Sequence, residues 1–351
     1  MWVSKTGEVE GRGQGQGQGQ GQNHGVKTLV TGGAGFIGSA VVRQLLARGR
    51  EVRVMLAPRE PDDNVRGLEV ELVRADLLDR AAVTAAVAGC DVVYHLAAIY
   101  SLWLPDESII YKVNVLGTQH VLAAARAAGV KKVVHTSSIA AIGVPAPGEL
   151  ADEQFRFNHW DGGNAYIRSK YLSDLDAQRA AAQGVPVTIV CPGFPFGERD
   201  RGPTPTGRFI VEALHRRVPG YTSGGFCAVD VDDVAACHVL AEEKGTIGAR
   251  YIAGGHNLTY REFFETVTRV AALPPLRRRI PDVAVMGLAH VSEARARHGG
   301  PPPRITVKAA RYALSTVWYD CSRARHELGM PLTPLDTTIA KAVRWFRDNK
   351  S

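Results

Sequence analysis

Short apolar runs alternate with amphipathic stretches along the chain from Val26 onward. Apolar runs bounded by turn residues are typical of buried strands, and apolar residues three and four apart are typical of helices that cover a sheet. The pattern predicts strands at Val26–Val30, Val52–Leu56, Val70–Val73, Val92–Leu96, Val133–Thr136 and Val187–Val190. Strands that alternate with helices predict an α/β fold with a doubly wound parallel sheet, a Rossmann architecture that binds ligands at the carboxyl ends of its strands.

The alternation breaks up after Pro192 into segments rich in proline and glycine. We therefore predict a dinucleotide-binding domain over residues 26–195, with returning elements near 226–254, and a smaller, mixed substrate-binding region over 196–351. Residues 1–25 contain five Gly-Gln repeats from Gly13 to Gln22. They offer nothing to bury, so they are predicted to form a disordered tail.

A glycine string, Thr31-Gly-Gly-Ala-Gly-Phe-Ile-Gly38, joins the first predicted strand to a helix predicted over 36–47. Gly32 permits a tight turn, Gly35 lets the backbone approach a pyrophosphate, and Gly38 lets the helix pack on the strand. Phe36 and Ile37 open the helix, where free N–H groups attract phosphate charge. The string predicts a dinucleotide cradle.

The end of the second strand reads Met55-Leu-Ala-Pro-Arg59. A carboxylate at this place would hold the adenosine ribose of NAD, and none is present, whereas Arg59 is suited to a 2′-phosphate. NADP(H) is therefore favoured over NAD(H). Asp76, after the third strand, is placed to accept from the adenine amino group.

A second string, Tyr166-Ile-Arg-Ser-Lys170, supplies candidate chemistry. Tyr166 and Lys170 are four residues apart on a helix predicted over Asn164–Ala182, so both side chains share a face. A phenol with a pKa near 10 becomes a usable acid or base when a neighbouring ammonium stabilises the phenolate. Ser137 and Ser138 end a predicted strand, where a hydroxyl can donate to a substrate oxygen.

With these motifs in this order, the chain resembles an extended short-chain dehydrogenase/reductase. The likeness is carried by the glycine string, Asp76-Leu77, Asp91–Ala98, Asn114–Thr118, Thr136–Ser138 and Tyr166–Lys170. It implies that Ser138 polarises the substrate oxygen, Tyr166 transfers the proton, Lys170 lowers the pKa of Tyr166 and holds the nicotinamide ribose, and Asn114 supports a relay. It also implies cofactor contacts at Leu77, Ala97 and Pro192, and a homodimer built partly on the Tyr166 helix.

Within that family the chain is most similar to hopanoid-associated sugar epimerases and the dihydroflavonol 4-reductase-like group. The strings involved are Ile99–Trp103, Gly197–Asp200, Pro203–Arg208, Val231–Ala235 and Gly254–Thr259. Nucleotide-sugar epimerases carry an arginine that grips the substrate pyrophosphate, and the matching stretch here, Gly225–Asp230, has none. A nucleotide sugar would therefore lose a charge-assisted contact.

The candidate substrate residues are aromatic: Trp103, Phe194, Phe196 and Tyr221. On loops after strand ends they favour a partly apolar cyclic ligand. The first interpretation is thus an NAD(P)-dependent oxidoreductase that moves a hydride to or from a carbonyl or secondary alcohol. The alternatives are a sugar epimerase with tightly bound cofactor and a non-catalytic NAD(P)-sensing protein.

Composition excludes several other classes of protein. The formal charge is +7, yet only Arg277–Arg279 forms a basic cluster and no aromatic residues interleave with it, which argues against nucleic-acid binding. The five cysteines show no C-x-x-C spacing, which favours reduced thiols and a cytoplasmic location. His95, His135 and His238 lack metal-ligand spacing, so no metal is expected.

No apolar run reaches the roughly eighteen residues of a membrane span. A helix-like stretch over 282–297, preceded by the Arg277–Arg279 cluster, nevertheless permits peripheral contact with an anionic membrane.

Overall fold

A seven-stranded parallel sheet forms the centre of the protein. The computed structural model describes residues 25–101, 104–301 and 305–349. The strands lie in the spatial order β3-β2-β1-β4-β5-β6-β9. They are β1 (Lys27–Thr31), β2 (Glu51–Leu56), β3 (Val70–Arg74), β4 (Val92–His95), β5 (Lys132–Thr136), β6 (Val187–Pro192) and β9 (Arg250–Ala253). The order reverses between β1 and β4, and the crevice at such a reversal is where ligands bind in doubly wound sheets.

Eleven α-helices occur in the described ranges. They are α1 (Phe36–Ala47), α2 (Arg80–Val87), α3 (Ser108–Tyr111), α4 (Gly117–Ala127), α5 (Ala165–Ala182), α6 (Gly207–Leu214), α7 (Val231–Glu243), α8 (Tyr260–Val270), α9 (Asp282–Arg297), α10 (Val307–Leu314) and α11 (Leu335–Asp348). Helices α1 and α7 pack together, as do α2, α4 and α5 in a second group. The two groups bury separate apolar clusters against the sheet, so both of its faces are covered.

A smaller sheet continues the chain beyond the carboxyl end of β6. Its strands are β7 (Phe194–Phe196), β8 (Gly225–Asp230), β10 (His256–Thr259) and β11 (Thr316–Val317). β8 pairs antiparallel with β10 and parallel with β7 and β11. Because β7 follows Pro192 after one residue, this sheet lies beside the ligand-binding edge of the large sheet.

The predicted fold class is confirmed, and the predicted strands occur with shifts of one or two residues at their ends. Strand β9 was not predicted, because four residues between a helix and a glycine pair carry little periodic signal. Of the expected returning elements, α7 packs on α1 and β9 joins the large sheet, whereas β8 belongs to the small sheet. The boundary at 195/196 and the homodimer stay predictions.

Helix α9 coincides with the stretch predicted over 282–297. It presents Val283, Leu288 and Val291 to solvent, and Arg277–Arg279 are exposed before it. Membrane contact there stays a prediction, and no helix in the described ranges is long and apolar enough to cross a bilayer. The predicted disordered tail lies outside the described residues apart from Gly25.

Candidate active site

A cavity of ≈ 550 Å³ opens at the carboxyl ends of the central strands. Residues that end β4, β5 and β6 form its floor, and the glycine string with the first turn of α1 forms one wall. The opposite wall comes from the substrate-binding region, including α10. The cavity therefore joins the expected cofactor cradle to the expected substrate side.

The glycine string is shaped as the sequence suggests. Gly32 has φ +67°, and a Cβ there would lie 2.8 Å from the Ala97 backbone. At Gly38 a Cβ would lie 2.1 Å from the Gly32 carbonyl oxygen. Gly35 precedes α1 without a side-chain cap, and the first turn of α1 holds no acidic residue. The backbone N–H groups at the start of α1 thus remain available for an anion, as a dinucleotide pyrophosphate requires.

The predicted cofactor contacts fall into two groups. Pro192, Phe36 and Ile37 line the cavity beside the three glycines. Arg59, Asp76 and Leu77 lie outside it, near the ends of β2 and β3. Asp76 is exposed and accepts from the Leu78 N–H at 2.9 Å, and Leu77 is buried.

Ala97, an expected cofactor contact, does not line the cavity. It packs against Gly32 behind the turn, and its neighbours Leu96 and Ala98 form the cavity wall. The alternation of side chains along an extended segment explains the difference, since successive residues point to opposite sides.

The expectation that no carboxylate lies at the end of β2 is wrong. The chain turns after the strand, with the Glu60 N–H donating to the Ala57 carbonyl at 3.0 Å. This turn returns the Glu60 carboxylate to the strand end, where it accepts from the Ala57 N–H at 3.0 Å. Burial raises the pKa of Glu60 above its ordinary value. Arg59 is exposed in the same turn.

Tyr166 and Lys170 lie one helical turn apart on α5, with Tyr166 facing the cavity. Asn164 caps this helix by accepting from the Ile167 N–H at 3.0 Å. Burial raises the pKa of Tyr166 to about 12, although the hydrogen bond with the Ser138 hydroxyl acts to lower this pKa. The expected lowering of the Tyr166 pKa by Lys170 is not found. The Lys170 ammonium donates to the Thr136 carbonyl at 2.7 Å.

A buried carboxylate stands behind Lys170 on the same helix. Burial lowers the pKa of Lys170 to about 8, and the negative charge of Asp174 opposes that shift. Asp174 accepts from the Ser137 hydroxyl at 2.5 Å and lies 3.8 Å from the Arg250 guanidinium. Sequence reasoning missed Asp174, although the spacing of Tyr166, Lys170 and Asp174 at i, i+4 and i+8 is the signal that identifies it.

Ser137 and Ser138 have different partners. Ser137 is held by Asp174, whereas the Ser138 hydroxyl accepts from the Ala140 N–H at 3.1 Å and keeps its proton for donation toward Tyr166 or a ligand. Asn114 is buried in a π-helical turn (Lys112–Leu116). Its amide binds both backbone groups of Ile99 and the Ser169 hydroxyl. It therefore fixes the loop after β4 against α5.

The pKa of Lys170 gives a prediction for pH dependence. If ketone reduction requires the Lys170 ammonium, kcat/KM for reduction should be level below pH 8 and fall above it, where the ammonium loses its proton. Asp174→Asn should move this fall to lower pH, because it removes a charge that raises the pKa of Lys170. Initial rates between about pH 6 and 10 measure both profiles. An unshifted profile in Asp174→Asn contradicts the assignment.

Of the three predicted substrate residues that the structure describes, one lies on the cavity wall. Phe194 lines it. Phe196 is 1% exposed and packs on Phe226 and Phe263 in the core, so its assignment is wrong. Tyr221 does not line this cavity; it packs against the core, and its backbone forms an isolated β-bridge with Arg279. Trp103 lies outside the described residues.

The wall is instead completed by aromatic side chains that the sequence did not single out. They are Tyr100, Phe209, Tyr260 and Tyr312. The Tyr100 ring lies 4.7 Å from the Tyr166 ring, between centroids. Burial raises the pKa of Tyr260 and of Tyr312, so both phenols stay protonated at neutral pH. They come from four segments of the chain, the loop after β4 and the helices α6, α8 and α10, so no single local motif identifies the set.

Two of the three histidines considered as metal ligands form hydrogen bonds with threonine hydroxyls. His95 binds the Thr31 and Thr118 hydroxyls, and His238 binds the Thr136 hydroxyl. His135 is fully buried without a hydrogen-bond partner. Across the described part of the chain, no three potential ligands gather into a metal-binding group.

Comparisons of the sequence agree with this geometry. The sequence model of the NAD dependent epimerase/dehydratase family matches residues 28–254. A Synechocystis sp. protein named "Putative dihydroflavonol 4-reductase" is 37% identical over 324 residues, covering 91% of this chain and 94% of the relative. Sterol demethylase protein B of Methylococcus capsulatus is 35% identical over 323 residues, covering 92% and 98%.

Solved structures share the architecture. The crystal structure of gox2253 has a TM-score of 0.84 at 36% identity, covering 92% of this chain and 98% of that one. The Thermus thermophilus UDP-glucose 4-epimerase complex with NAD has a TM-score of 0.71 at 26% identity, covering 92% and 99%. With the glycine cradle and the Tyr166–Lys170 pair in place, the chain belongs to the NAD-dependent epimerase/dehydratase family of extended short-chain dehydrogenase/reductase enzymes.

Proposed function

We propose that this enzyme is an NAD(P)-dependent oxidoreductase that transfers a hydride between the nicotinamide and a carbonyl or secondary alcohol of a partly apolar cyclic substrate. The observation that carries this proposal is the composition of the cavity wall. Among the described residues that line it, only Lys170 and Lys308 are charged, and the substrate side is mainly aromatic and aliphatic. Such a wall favours burial of an apolar ring system.

The stretch that would hold a nucleotide sugar supports the same choice. The stretch Gly225–Asp230 contains no cationic side chain, so it supplies no group to bind a substrate pyrophosphate. The names of two relatives, a dihydroflavonol reductase and a sterol demethylase protein, also denote apolar ring compounds.

The residues have separate tasks in this mechanism. The nicotinamide, when bound, supplies or accepts the hydride. In the reducing direction Tyr166 gives its proton to the substrate oxygen, and Ser138 donates a hydrogen bond to the same oxygen as negative charge develops there. Lys170 lies one helical turn from Tyr166 on α5, and we assign its ammonium to the nicotinamide ribose. Asp174 and Thr136 hold Lys170 in position.

A sugar epimerase with tightly bound cofactor is the second candidate, because a family member of similar fold is a UDP-glucose 4-epimerase. Cofactor stoichiometry separates the two. The purified protein would be incubated with NADPH or NADH and a panel of cyclic ketones, and with UDP-sugars without added cofactor. The oxidoreductase proposal expects one cofactor oxidised per ketone reduced. Epimer formation without cofactor consumption would overturn it.

NADP(H) is the cofactor we propose as preferred. Arg59 is exposed at the end of β2 and has no ion pair with any described residue, so its guanidinium is available to a 2′-phosphate. Glu60 is the carboxylate that would favour NAD(H) instead, by accepting from the adenosine ribose. One of its two oxygens, however, already accepts from the Ala57 N–H.

Arg59→Ala should weaken NADPH binding by about 1.5–3 kcal/mol, the usual contribution of a hydrogen bond to a charged group. NADH binding should hardly change. Arg126→Ala is the matched control, since Arg126 is exposed in the last turn of α4 and does not line the cavity. Isothermal titration measures both affinities. Equal losses for both cofactors, or a wild-type preference for NADH, would remove Arg59 from cofactor selection.

A further inference from the structure

One cationic side chain on the substrate side of the cavity has no role in the mechanism above. Lys308 lies in the first turn of α10, whose inner face lines the cavity through Lys308, Ala309 and Tyr312. Lys170, the other charged residue of the described wall, is committed to the Thr136 carbonyl. No acidic residue is present in that wall to neutralise Lys308.

The surroundings of Lys308 leave its charge uncompensated. Within the described ranges its ammonium makes no ion pair and no side-chain hydrogen bond, and the nearby carboxylate of Glu293 is bound to the Val307 N–H at 2.7 Å and to Arg297. The His159 ring lies 5.7 Å from the Tyr312 ring, between centroids. Burial and, to a smaller extent, the positive charge of Lys308 lower the pKa of His159. Lys308 is therefore an exposed cation at the edge of the cavity, and no acidic residue lines the described wall beside it.

We propose that Lys308 binds an anionic substituent on the substrate, which is then an amphiphile: a ring-bearing alcohol or ketone with one carboxylate, sulfonate or phosphate group. The assignment rests on the proposed function and narrows its substrate class. A wall without carboxylates repels no anion, and an anionic group bound beside Lys308 would accept a charge-assisted hydrogen bond from its ammonium.

The position of Lys308 also orients the ligand. Tyr312 follows Lys308 by one helical turn, about 6 Å along the helix axis. Tyr312 lies close enough to Tyr166 for their phenols to interact electrostatically. A substrate whose oxygen reaches Tyr166 therefore places its anionic group past Tyr312, on the side of the ring system away from the reacting carbon.

Two fluorescent probes test this site without any need for turnover. 1-Anilinonaphthalene-8-sulfonate and N-phenyl-1-naphthylamine share the same ring system and differ in the sulfonate. Lys308→Met keeps much of the side-chain volume and removes the charge. It should raise the Kd of the sulfonate probe roughly 10- to 100-fold, the range for a charge-assisted hydrogen bond, and leave the neutral probe within about twofold.

Arg311→Met is the matched control. Arg311 is an exposed cation on the same helix, one turn from Lys308, and does not line the cavity. Its variant should bind both probes like the wild type. Two further measurements test whether Lys308 binds a different anion. If it bound a cofactor phosphate, Lys308→Met would weaken NADPH binding, whereas we expect the Kd for NADPH to be unchanged. If it bound any free anion, inorganic phosphate would displace the sulfonate probe, and we expect no displacement.

Several results would overturn the assignment. They are equal effects of Lys308→Met on both probes, no effect on either, the same loss in Arg311→Met, weaker NADPH binding, or displacement by phosphate. The proposed function would fail differently, by absence of cofactor oxidation with any ketone, while the probe affinities still reported on Lys308.

Discussion

Tyr166→Phe should lower turnover by about a hundredfold or more, the range for loss of a general acid. The ring lies against Tyr100 and packs equally well without its hydroxyl, so the fold and the cofactor cradle should be retained. Burial raises the pKa of the Tyr166 phenol to about 12, so the wild-type group is protonated and ready to donate at neutral pH. Steady-state rates of ketone reduction and titration of NADPH provide the two measurements.

Tyr171→Phe is the control for this variant. Tyr171 lies on the same helix, but its ring stacks on Phe157 at 4.0 Å between centroids and lies outside the cavity. We expect wild-type turnover from it. Near-normal turnover in Tyr166→Phe, or an equal loss in Tyr171→Phe, removes Tyr166 from the proton-transfer role.

Gly38→Ala should disable the cofactor cradle. The new Cβ would lie 2.1 Å from the Gly32 carbonyl oxygen, closer than atoms in contact can approach, so the start of α1 and the glycine turn must separate. We expect NADPH binding to weaken about a hundredfold or more, equivalent to about 3 kcal/mol. The free energy of unfolding should fall by about 2 kcal/mol, as for other overpacked sites. Calorimetry and chemical denaturation measure these quantities.

The matched control is Gly287→Ala. Gly287 is exposed within α9, and a Cβ there meets nothing within 4 Å. Because alanine favours the helix, this variant should be slightly more stable and bind NADPH normally. Normal cofactor binding by Gly38→Ala would show that the cradle tolerates separation from the helix.

The parts of the site that follow from local sequence were predictable. Gly32, Gly38, Tyr166 and Lys170 each need a residue type at a fixed offset within one turn or one helix, so spacing alone predicts their geometry. The pattern of apolar runs likewise predicts the large parallel sheet, because its central strands β1, β4, β5 and β6 are buried on both faces.

The electrostatics and the substrate wall were not predictable in this way. The return of Glu60 to the end of β2 depends on a turn that composition does not signal. The Lys170 ammonium donates to the Thr136 carbonyl at the end of β5, and burial raises the pKa of Tyr166.

Distant elements also decide which aromatic residues face the cavity. Phe194 and Phe196 are two residues apart on β7, yet only Phe194 lines the cavity. Phe196 is 1% exposed in the core. Tyr260 and Tyr312 reach the cavity from α8 and α10, which no sequence spacing relates to the catalytic helix.

Isotope transfer tests the central claim most directly. The enzyme would be given NADPH deuterated at the transferable position together with a cyclic ketone that it reduces, and the product alcohol would be analysed by mass spectrometry and NMR. Direct hydride transfer predicts one deuterium on the carbinol carbon for each NADPH oxidised, with the transfer greatly slowed in Tyr166→Phe. Product without deuterium, or product formed with no oxidation of NADPH, would contradict the account.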